Sequence, residues 1–419
     1  MSSFAKDRQY YKFSFYGFLK NLRFFDAFFI LFLVEKGLSY SEIGILYAVR
    51  EICINVFEIP SGIVADAYGR KNSLIGSFVA YIISFLVFFV SADFWPFFVA
   101  FIFYGIGDAF RSGTHKGMIM DYLKIKGWED QKINYYGHTR SWSQKGSAIS
   151  SLIAGGIVFY SGSYRNIFLY SIIPYLVNLF LILSYPKELN HFSTQPEKNQ
   201  KGNFVFMATS LAQMIKRPEV FRIINTTALH SAYLKAVKDY IQPLMASVAL
   251  LIPVLVHQES EKRNGAIIGV IYFFIYVATS WASKYSSKLE TKNKFDVPFA
   301  TLLLGFFLGI VTGFFFVKEI WVVSLFAFIG IYLVENVRKP ILTGYISDNV
   351  PNEILTSVIS AQSLLTTILT SVLAFVFGLI ADHFGIGISF MAISVSLGIY
   401  SIVITCFKRI QKKLTKNVC

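Results

Sequence analysis

Apolar residues gather into twelve long stretches along the chain, separated by shorter polar segments. Each stretch has about 20 residues, the length of a helix that crosses a hydrocarbon layer of roughly 30 Å. The predicted spans are 13–34, 43–65, 73–92, 95–117, 141–161, 165–184, 220–244, 265–285, 296–317, 320–340, 355–380 and 386–407. The first span contains Lys20, Arg23 and Asp26, which a cleaved signal peptide would not carry. The pattern predicts an all-α, multi-pass integral membrane protein of twelve transmembrane helices.

The orientation follows from the positions of Lys and Arg between the spans. If the N-terminus lies inside the cell, the inner segments together with the adjoining span ends carry 27 of these residues, and the outer segments with their adjoining span ends carry 5. This bias predicts that both termini are cytoplasmic, and we expect the bacterial cytoplasmic membrane as the location.

The composition supports a lipid environment and excludes several classes of protein. Hydrophobic residues make up 54% of the chain and charged residues only 15%, against about 25% charged in soluble domains. The net charge of +14 fits basic inner loops that face anionic lipid, so nucleic acid is not an expected partner. The sequence has no C-x-x-C pair, no H-E-x-x-H and no phosphate-binding loop, and predicts neither a metal site, a cofactor nor an enzyme.

The longest inner connection divides the chain into two halves of six spans. We expect an N-terminal half over 1–184, a central cytoplasmic loop over 185–218 and a C-terminal half with a basic tail over 219–419. Apolar residues at helical spacing near 204–215 predict an amphipathic helix on the membrane surface within that loop, with a plain linker as the alternative.

The two halves also share a motif. The pattern D/E-x-x-R-x5-G-x3-D begins at Asp108 in span four and at Glu335 in span ten, so that each pair of residues is 227 positions apart. Weaker matches occur in the same order between spans two and eight and between spans five and eleven. Parallel repetition of a six-helix unit is typical of transporters whose two halves move around a site at the membrane midplane.

A short loop follows span two and contains Gly62, Asp66, Gly69, Arg70 and Lys71. Its pattern resembles the G-x-x-x-D-x-x-G-R-K/R signature of the major facilitator superfamily, and it lies at the expected inner end of span two. The glycines allow close helix approach and a tight turn, and the carboxylate can meet a helix N-terminus.

The resemblance implies a secondary active transporter that works by alternating access, with Gly62, Asp66, Gly69 and Arg70 as a conformational latch. Ala67 stands where many members carry a basic residue. Span five lacks the Gly-Pro element typical of drug–proton antiporters, so neither import nor export is favoured.

The candidate site consists of the ionisable residues inside the spans. Insertion of such a side chain at the bilayer centre costs about 2.5–3.5 kcal/mol on insertion scales, so each is expected to face a cavity or a partner. Many are three or four residues apart and share a helix face. The resemblance implies that spans one, four, seven and ten line a common cavity. The cations expected to bind substrate are Arg23, Arg111, Lys235 and Arg338. The carboxylates expected to carry protons are Asp26, Glu51, Glu58, Asp108 and Glu335.

The cations favour a small organic substrate that is anionic or zwitterionic, because the guanidinium group of Arg can form bidentate hydrogen bonds with carboxylate or phosphate. Protons are the expected coupling ion, and sodium is the alternative, because carboxylates and hydroxyls serve both. Two other interpretations stay open: the charges form neutralising pairs that only permit insertion, or the chain is a membrane receptor or scaffold without net flux.

Overall fold

The protein is helical throughout the part that the computed structural model describes, namely residues 6–190, 209, 212–213, 218–253, 257–289, 297–350 and 352–416. This confirms the predicted all-α class. The helices are α1 (Arg8–Lys20), α2 (Phe29–Glu35), α3 (Tyr40–Tyr68), α4 (Arg70–Val90), α5 (Phe94–Arg111), α6 (Thr114–Ile125), α7 (Lys132–Ser161), α8 (Asn166–Leu183), α9 (Pro218–Val237), α10 (Ile241–Ala249), α11 (Ser260–Leu289), α12 (Val297–Val317), α13 (Trp321–Asn349), α14 (Asn352–Phe384) and α15 (Ile386–Lys416).

The helices follow the twelve predicted spans. Seven described helices are long and apolar enough to cross a membrane, and they correspond to spans three, six and eight to twelve. Spans two and five are the long, more polar helices α3 and α7. The predicted amphipathic helix of the central loop lies outside the described residues, apart from 209, 212 and 213.

Three spans are interrupted, which the apolar pattern does not predict. Span one breaks between α1 and α2, where a 3-10 turn occupies Phe24–Ala27. Span four breaks at Gly113, whose φ of +73° favours glycine, and span seven breaks at a 3-10 turn over Lys238–Tyr240. In lipid, such breaks are tolerated where the freed backbone is buried in protein or lines a water-filled cavity.

The chain forms two compact units, which do not coincide with its sequence halves. Unit 1 comprises Met1–Leu38, Val49–Asn203 and Ala249–Val277, and unit 2 comprises Ser39–Ala48, Phe204–Val248 and Ala278–Cys419. The boundaries therefore fall just before α3, inside α3, in the central segment, at the end of α10 and inside α11. The assignment of halves over 1–184 and 219–419 stays a prediction.

Unit 1 has an aromatic core. Phe29 stacks on Phe101 with ring centroids 5.2 Å apart, and Phe88 stacks on Phe168 at 5.0 Å. These four rings come from α2, α5, α4 and α8 and are almost fully buried. Offset stacks of this kind add about 0.5–1.5 kcal/mol per pair beyond burial.

Glycines let α7 and α11 cross closely within unit 1. A methyl group on Gly155 would lie 2.6 Å from the carbonyl oxygen of Gly265, and one on Gly269 would lie 2.6 Å from the carbonyl oxygen of Ser151. Small residues are the usual means of bringing two backbones together in lipid.

Unit 2 contains a helix cap that joins distant parts of the sequence. The carboxylate of Asp382, near the end of α14, accepts hydrogen bonds from the backbone N–H groups of Tyr40 at 2.7 Å and Ser41 at 2.8 Å. It thereby satisfies two of the four unpaired N–H groups at the start of α3, and its charge complements the helix dipole there.

Candidate functional site

The interruptions of spans one and four place two arginines side by side in unit 1. Arg23 lies in the break between α1 and α2, and Arg111 is the last residue of α5, just before the break at Gly113. Discontinuous helices are a common way to build substrate sites in transporters, because the helix ends present unpaired backbone groups and dipole charge.

Asp108 lies between these arginines. Its Oδ1 atom accepts a hydrogen bond from Arg111 Nη2 at 2.8 Å, and Arg23 Nη2 lies 3.8 Å away. Between 16% and 20% of each of the three side chains remains exposed. One carboxylate therefore faces two guanidinium groups, and the cluster keeps an excess positive charge.

Two tyrosine hydroxyls complete the cluster. Tyr81 donates to Asp108 and accepts from Arg111 Nε at 3.0 Å, while Arg23 Nη1 donates to the hydroxyl of Tyr104 at 2.7 Å. Both tyrosines are buried. Because hydrogen bonds to charged groups contribute about 1.5–3 kcal/mol, these hydroxyls fix the guanidinium planes in position.

A cavity of about 360 Å³ lies in the same unit, lined by residues of α1, α6 and α7 and by Asn21. Lys20, at the C-terminal end of α1, and Arg140 of α7 supply its charged groups. Lys20 also lies within electrostatic range of Arg23, Arg111 and Asp108, so the cavity and the arginine cluster share one electrostatic environment.

Unit 2 holds a separate buried polar cluster. Glu335 of α13 accepts a hydrogen bond from Ser231 Oγ at 2.6 Å and lies 2.8 Å from Nδ1 of His230. The side chains of His230 and Glu335 are 0% and 3% exposed. Lys339 approaches the same carboxylate at 4.0 Å from its exposed position. The cluster therefore brings the imidazole of His230 and the carboxylate of Glu335 together where solvent has almost no access.

Arg338 lies one helical turn from Glu335 and is fully buried. Its guanidinium donates hydrogen bonds to the carbonyl oxygen of Thr226 at 2.7 Å, to the carbonyl oxygen of Pro298 at 2.5 Å and to the hydroxyl of Thr301 at 2.7 Å. These contacts tie α9, α12 and α13 together.

Comparison with known families decides the class of this protein. The sequence profile described as Major Facilitator Superfamily matches residues 20–369, most of the chain. The chain belongs to the Major Facilitator Superfamily. It is therefore an integral, multi-pass membrane transporter and not an enzyme.

Three known transporters are similar to this chain in sequence or in fold. An uncharacterized MFS-type transporter, YxaM of Bacillus subtilis (strain 168), is 24% identical over 405 residues, covering 92% of each chain. The crystal structure of a single-residue mutant of the nucleoside transporter NupG has a TM-score of 0.77 at 14% identity, covering 94% of this chain and 99% of that one. A POT family transporter in complex with 5-aminolevulinic acid has a TM-score of 0.74 at 11% identity, covering 97% of both chains. At these identities the solved structures show the shared fold alone.

Of the other residues expected at the site, Asp26 lies near the arginine cluster, and the remaining ones lie elsewhere in this superfamily fold. Asp26 is in the 3-10 turn of span one, within electrostatic range of Arg23. Glu51 lies 3.1 Å from the guanidinium of its neighbour Arg50. The side chains of Glu58 and Lys235 are exposed.

The superfamily loop joins α3 to α4. Gly69 ends α3 with a φ of +90°, and Gly62 lies inside α3 with open space beside it. Arg70 contacts Asp121 of α6 at 2.8 Å, and its guanidinium lies so close to Gly117 that a methyl group there would collide with it. The side chain of Asp66 lies outside the described part of the structure.

Several members of these clusters have no sequence signal beyond their position in a span. His230 is an ionisable residue in span seven and belongs among the candidates by the same cost argument that selected Glu335. Lys20 shares a helix face with Arg23, whereas Arg140 lies just before the predicted start of span five. Tyr81 and Tyr104 resemble interior aromatic residues, so only the three-dimensional contacts identify their role.

Proposed function

We propose that this protein moves a small organic anion across the cytoplasmic membrane by alternating access, driven by protons. The observation that carries the proposal is the pair of arginines around Asp108, at the breaks of spans one and four, beside a cavity in unit 1. Guanidinium groups held by tyrosine hydroxyls are pre-oriented for carboxylate or phosphate oxygens. Arg23 and Arg111 are the substrate-binding residues in this proposal.

Arg338 and Lys235 take other roles. The guanidinium of Arg338 is occupied by two carbonyl oxygens and a hydroxyl, which supports a structural role, and Lys235 has an exposed side chain. Asp108 is held between Arg23 and Arg111, and this geometry supports a role in positioning the two guanidinium groups.

We propose His230 and Glu335 as the proton-binding pair. A carboxylate and an imidazole 2.8 Å apart can hold one proton between them and release it when the surroundings change. The imidazole favours protons over sodium, because sodium prefers oxygen ligands.

Both termini are cytoplasmic in this proposal, and the loop of Gly62, Asp66, Gly69 and Arg70 acts as the latch. The ion pair of Arg70 with Asp121 supports the latch, since it links the loop to α6 and can break as the loop moves.

The test is transport by the purified protein in vesicles that contain a pH-sensitive dye, with succinate, benzoate and phenyl phosphate as probes. We expect one of these anions to enter together with protons. Glu335→Gln, which cannot carry a proton, should abolish accumulation driven by a pH gradient but leave exchange of labelled for unlabelled anion largely intact. Arg111→Gln should lose both activities, because it removes an anion contact.

The matched control is Glu188→Gln, which changes an exposed carboxylate outside the spans and should behave like the wild type. Proton-driven accumulation by the Glu335→Gln variant at the wild-type rate would reject the coupling role. Binding of an anion without movement of anion or proton would instead indicate a receptor.

A further inference from the structure

The cavity of unit 1 has a lining whose charged side chains are all cationic. Lys20 and Arg140 supply these charges, and within the described residues no carboxylate lines the cavity. Uncharged donors, among them Ser143 and Gln144 of α7, line it as well. A lining of this kind attracts anions and disfavours cations and zwitterions.

Two buried polar groups in the lining lack a hydrogen-bond partner in the described structure. They are the hydroxyl of Tyr16, a residue that is 1% exposed as a whole, and Nε2 of His115. Their rings stack on one another with centroids 3.7 Å apart, so both groups are held in place. Because an unpaired buried polar group costs about 1–3 kcal/mol, such groups are expected to meet a ligand with several acceptor oxygens.

The charge balance of the whole cluster selects the class of anion. Four cations lie together, Lys20, Arg23, Arg111 and Arg140, and the carboxylates of Asp108 and Asp26 face two of them. Nearby, Arg50 is paired with Glu51. Among the described residues, no carboxylate is seen to face the other two cations, so the cluster has an excess of two positive charges. A monocarboxylate or a sulfate ester supplies one negative charge, whereas a phosphate monoester supplies about 1.5–2 at pH 7 together with three acceptor oxygens.

The volume of the cavity and its lining residues indicate the organic group that the anion carries. The volume of about 360 Å³ is at the small end of ligand sites, and the half-buried rings of Tyr136 and His115 give the cavity an aromatic side. We propose that this cavity is the binding site for a small phosphate monoester, whose dianionic phosphate lies between Lys20 and Arg140 and is attracted as well by the nearby charges of Arg23 and Arg111. The assignment rests on the proposed function, since it names the class of anion that the transporter carries.

The test is calorimetric binding to the full-length protein in lipid nanodiscs at pH 7.5, with probes of nearly the same shape. Phenyl phosphate is the dianion, phenyl sulfate the monoanion and phenol the neutral compound, while inorganic phosphate separates the head group from the ester. We expect phenyl phosphate to bind at least tenfold more tightly than phenyl sulfate and phenol to show no binding. Inorganic phosphate alone should bind more weakly than the ester, because it leaves the aromatic side uncovered.

Variants then locate the site. Lys20→Met and Arg140→Gln should each weaken phenyl phosphate binding at least tenfold and bring its affinity close to that of phenyl sulfate. Lys145→Met is the matched control, because Lys145 is an exposed cation on the same helix, over the ring of Trp142 and outside the cavity lining. It should leave both affinities unchanged, and thermal unfolding without ligand should show that all three variants are folded.

Equal or tighter binding of phenyl sulfate, or unchanged affinity in both cavity variants, would overturn the assignment. This failure differs from failure of the proposed function. Proton-coupled movement of succinate or benzoate without phenyl phosphate binding would contradict only the ligand class. Site-specific phenyl phosphate binding without flux would support the site and contradict transport.

Discussion

The same sequence motif gives two arginines with different surroundings. Arg111 and Arg338 occupy equivalent positions of the repeat, three residues after a carboxylate. Arg111 faces Asp108 and keeps 20% of its side chain exposed, whereas Arg338 is fully buried and donates to carbonyl oxygens of other helices. A motif therefore specifies the residue type, and the packing around it decides whether the charge is available to a ligand.

This difference predicts that the same substitution mainly lowers stability at Arg338 and mainly abolishes anion binding at Arg111. Arg338→Gln should destabilise the protein by about 3 kcal/mol or more, because two buried carbonyl oxygens and a hydroxyl lose a charged donor. Arg111→Gln should cost less stability, since Arg23 and Tyr81 still contact Asp108, but should abolish anion binding. Thermal unfolding of both variants in detergent measures the first effect. An Arg338→Gln protein as stable as the wild type would contradict the structural role.

At the scale of helices, the apolar pattern predicts where spans lie but not where they break. Gly113 marks the break in span four, yet the sequence contains other glycines, such as Gly105 and Gly107, that lie inside a continuous helix. The break in span one contains no glycine or proline. Because no helix-breaking residue occurs there, we infer that tertiary contacts such as that of Arg23 with Tyr104 decide the backbone path.

The crossing of α7 and α11 offers a test with an adjacent control. Gly155→Ala should destabilise the protein by about 1–3 kcal/mol, because the added methyl group would lie 2.6 Å from the carbonyl oxygen of Gly265 and force the helices apart. Gly156→Ala adds the same group where no atom lies within 4 Å, so its stability should be unchanged or slightly higher. Thermal unfolding compares the two. Equal stabilities would show that the crossing tolerates a side chain.

At the scale of the whole molecule, the sequence repeat and the compact units describe different divisions. The repeat predicts two halves separated by the central segment, whereas the units exchange 39–48 and 249–277. Contacts such as those of Asp382 with Tyr40 and of Gly155 with Gly265 are the physical cause, since they bind part of a long helix to a partner from the other half of the sequence. Similarity between the two halves of the sequence indicates a repeated six-helix pattern, but it does not show which residues of one half contact the other.

The orientation can be tested with the cysteines of the chain. With Cys53 and Cys406 replaced by serine, the remaining Cys419 should react with a membrane-impermeant maleimide only after the cells are permeabilised, because the distribution of basic residues predicts that the termini are cytoplasmic. An Asp93→Cys variant of the cysteine-free protein should be labelled in intact cells. Labelling of Cys419 in intact cells would reverse the assigned topology.

The sequence by itself determined that this protein lies in a lipid bilayer, how many spans it has and to which family it belongs. These properties depend on composition, on apolar runs long enough to cross a bilayer and on a short loop motif, all of which are local. Only the tertiary structure decided that Arg23 and Arg111 share Asp108, that His230 meets Glu335 and that Arg140 joins Lys20 at one cavity. The partners in these contacts are up to 120 residues apart, and their distances depend on how helices pack and where spans break, which no local pattern specifies.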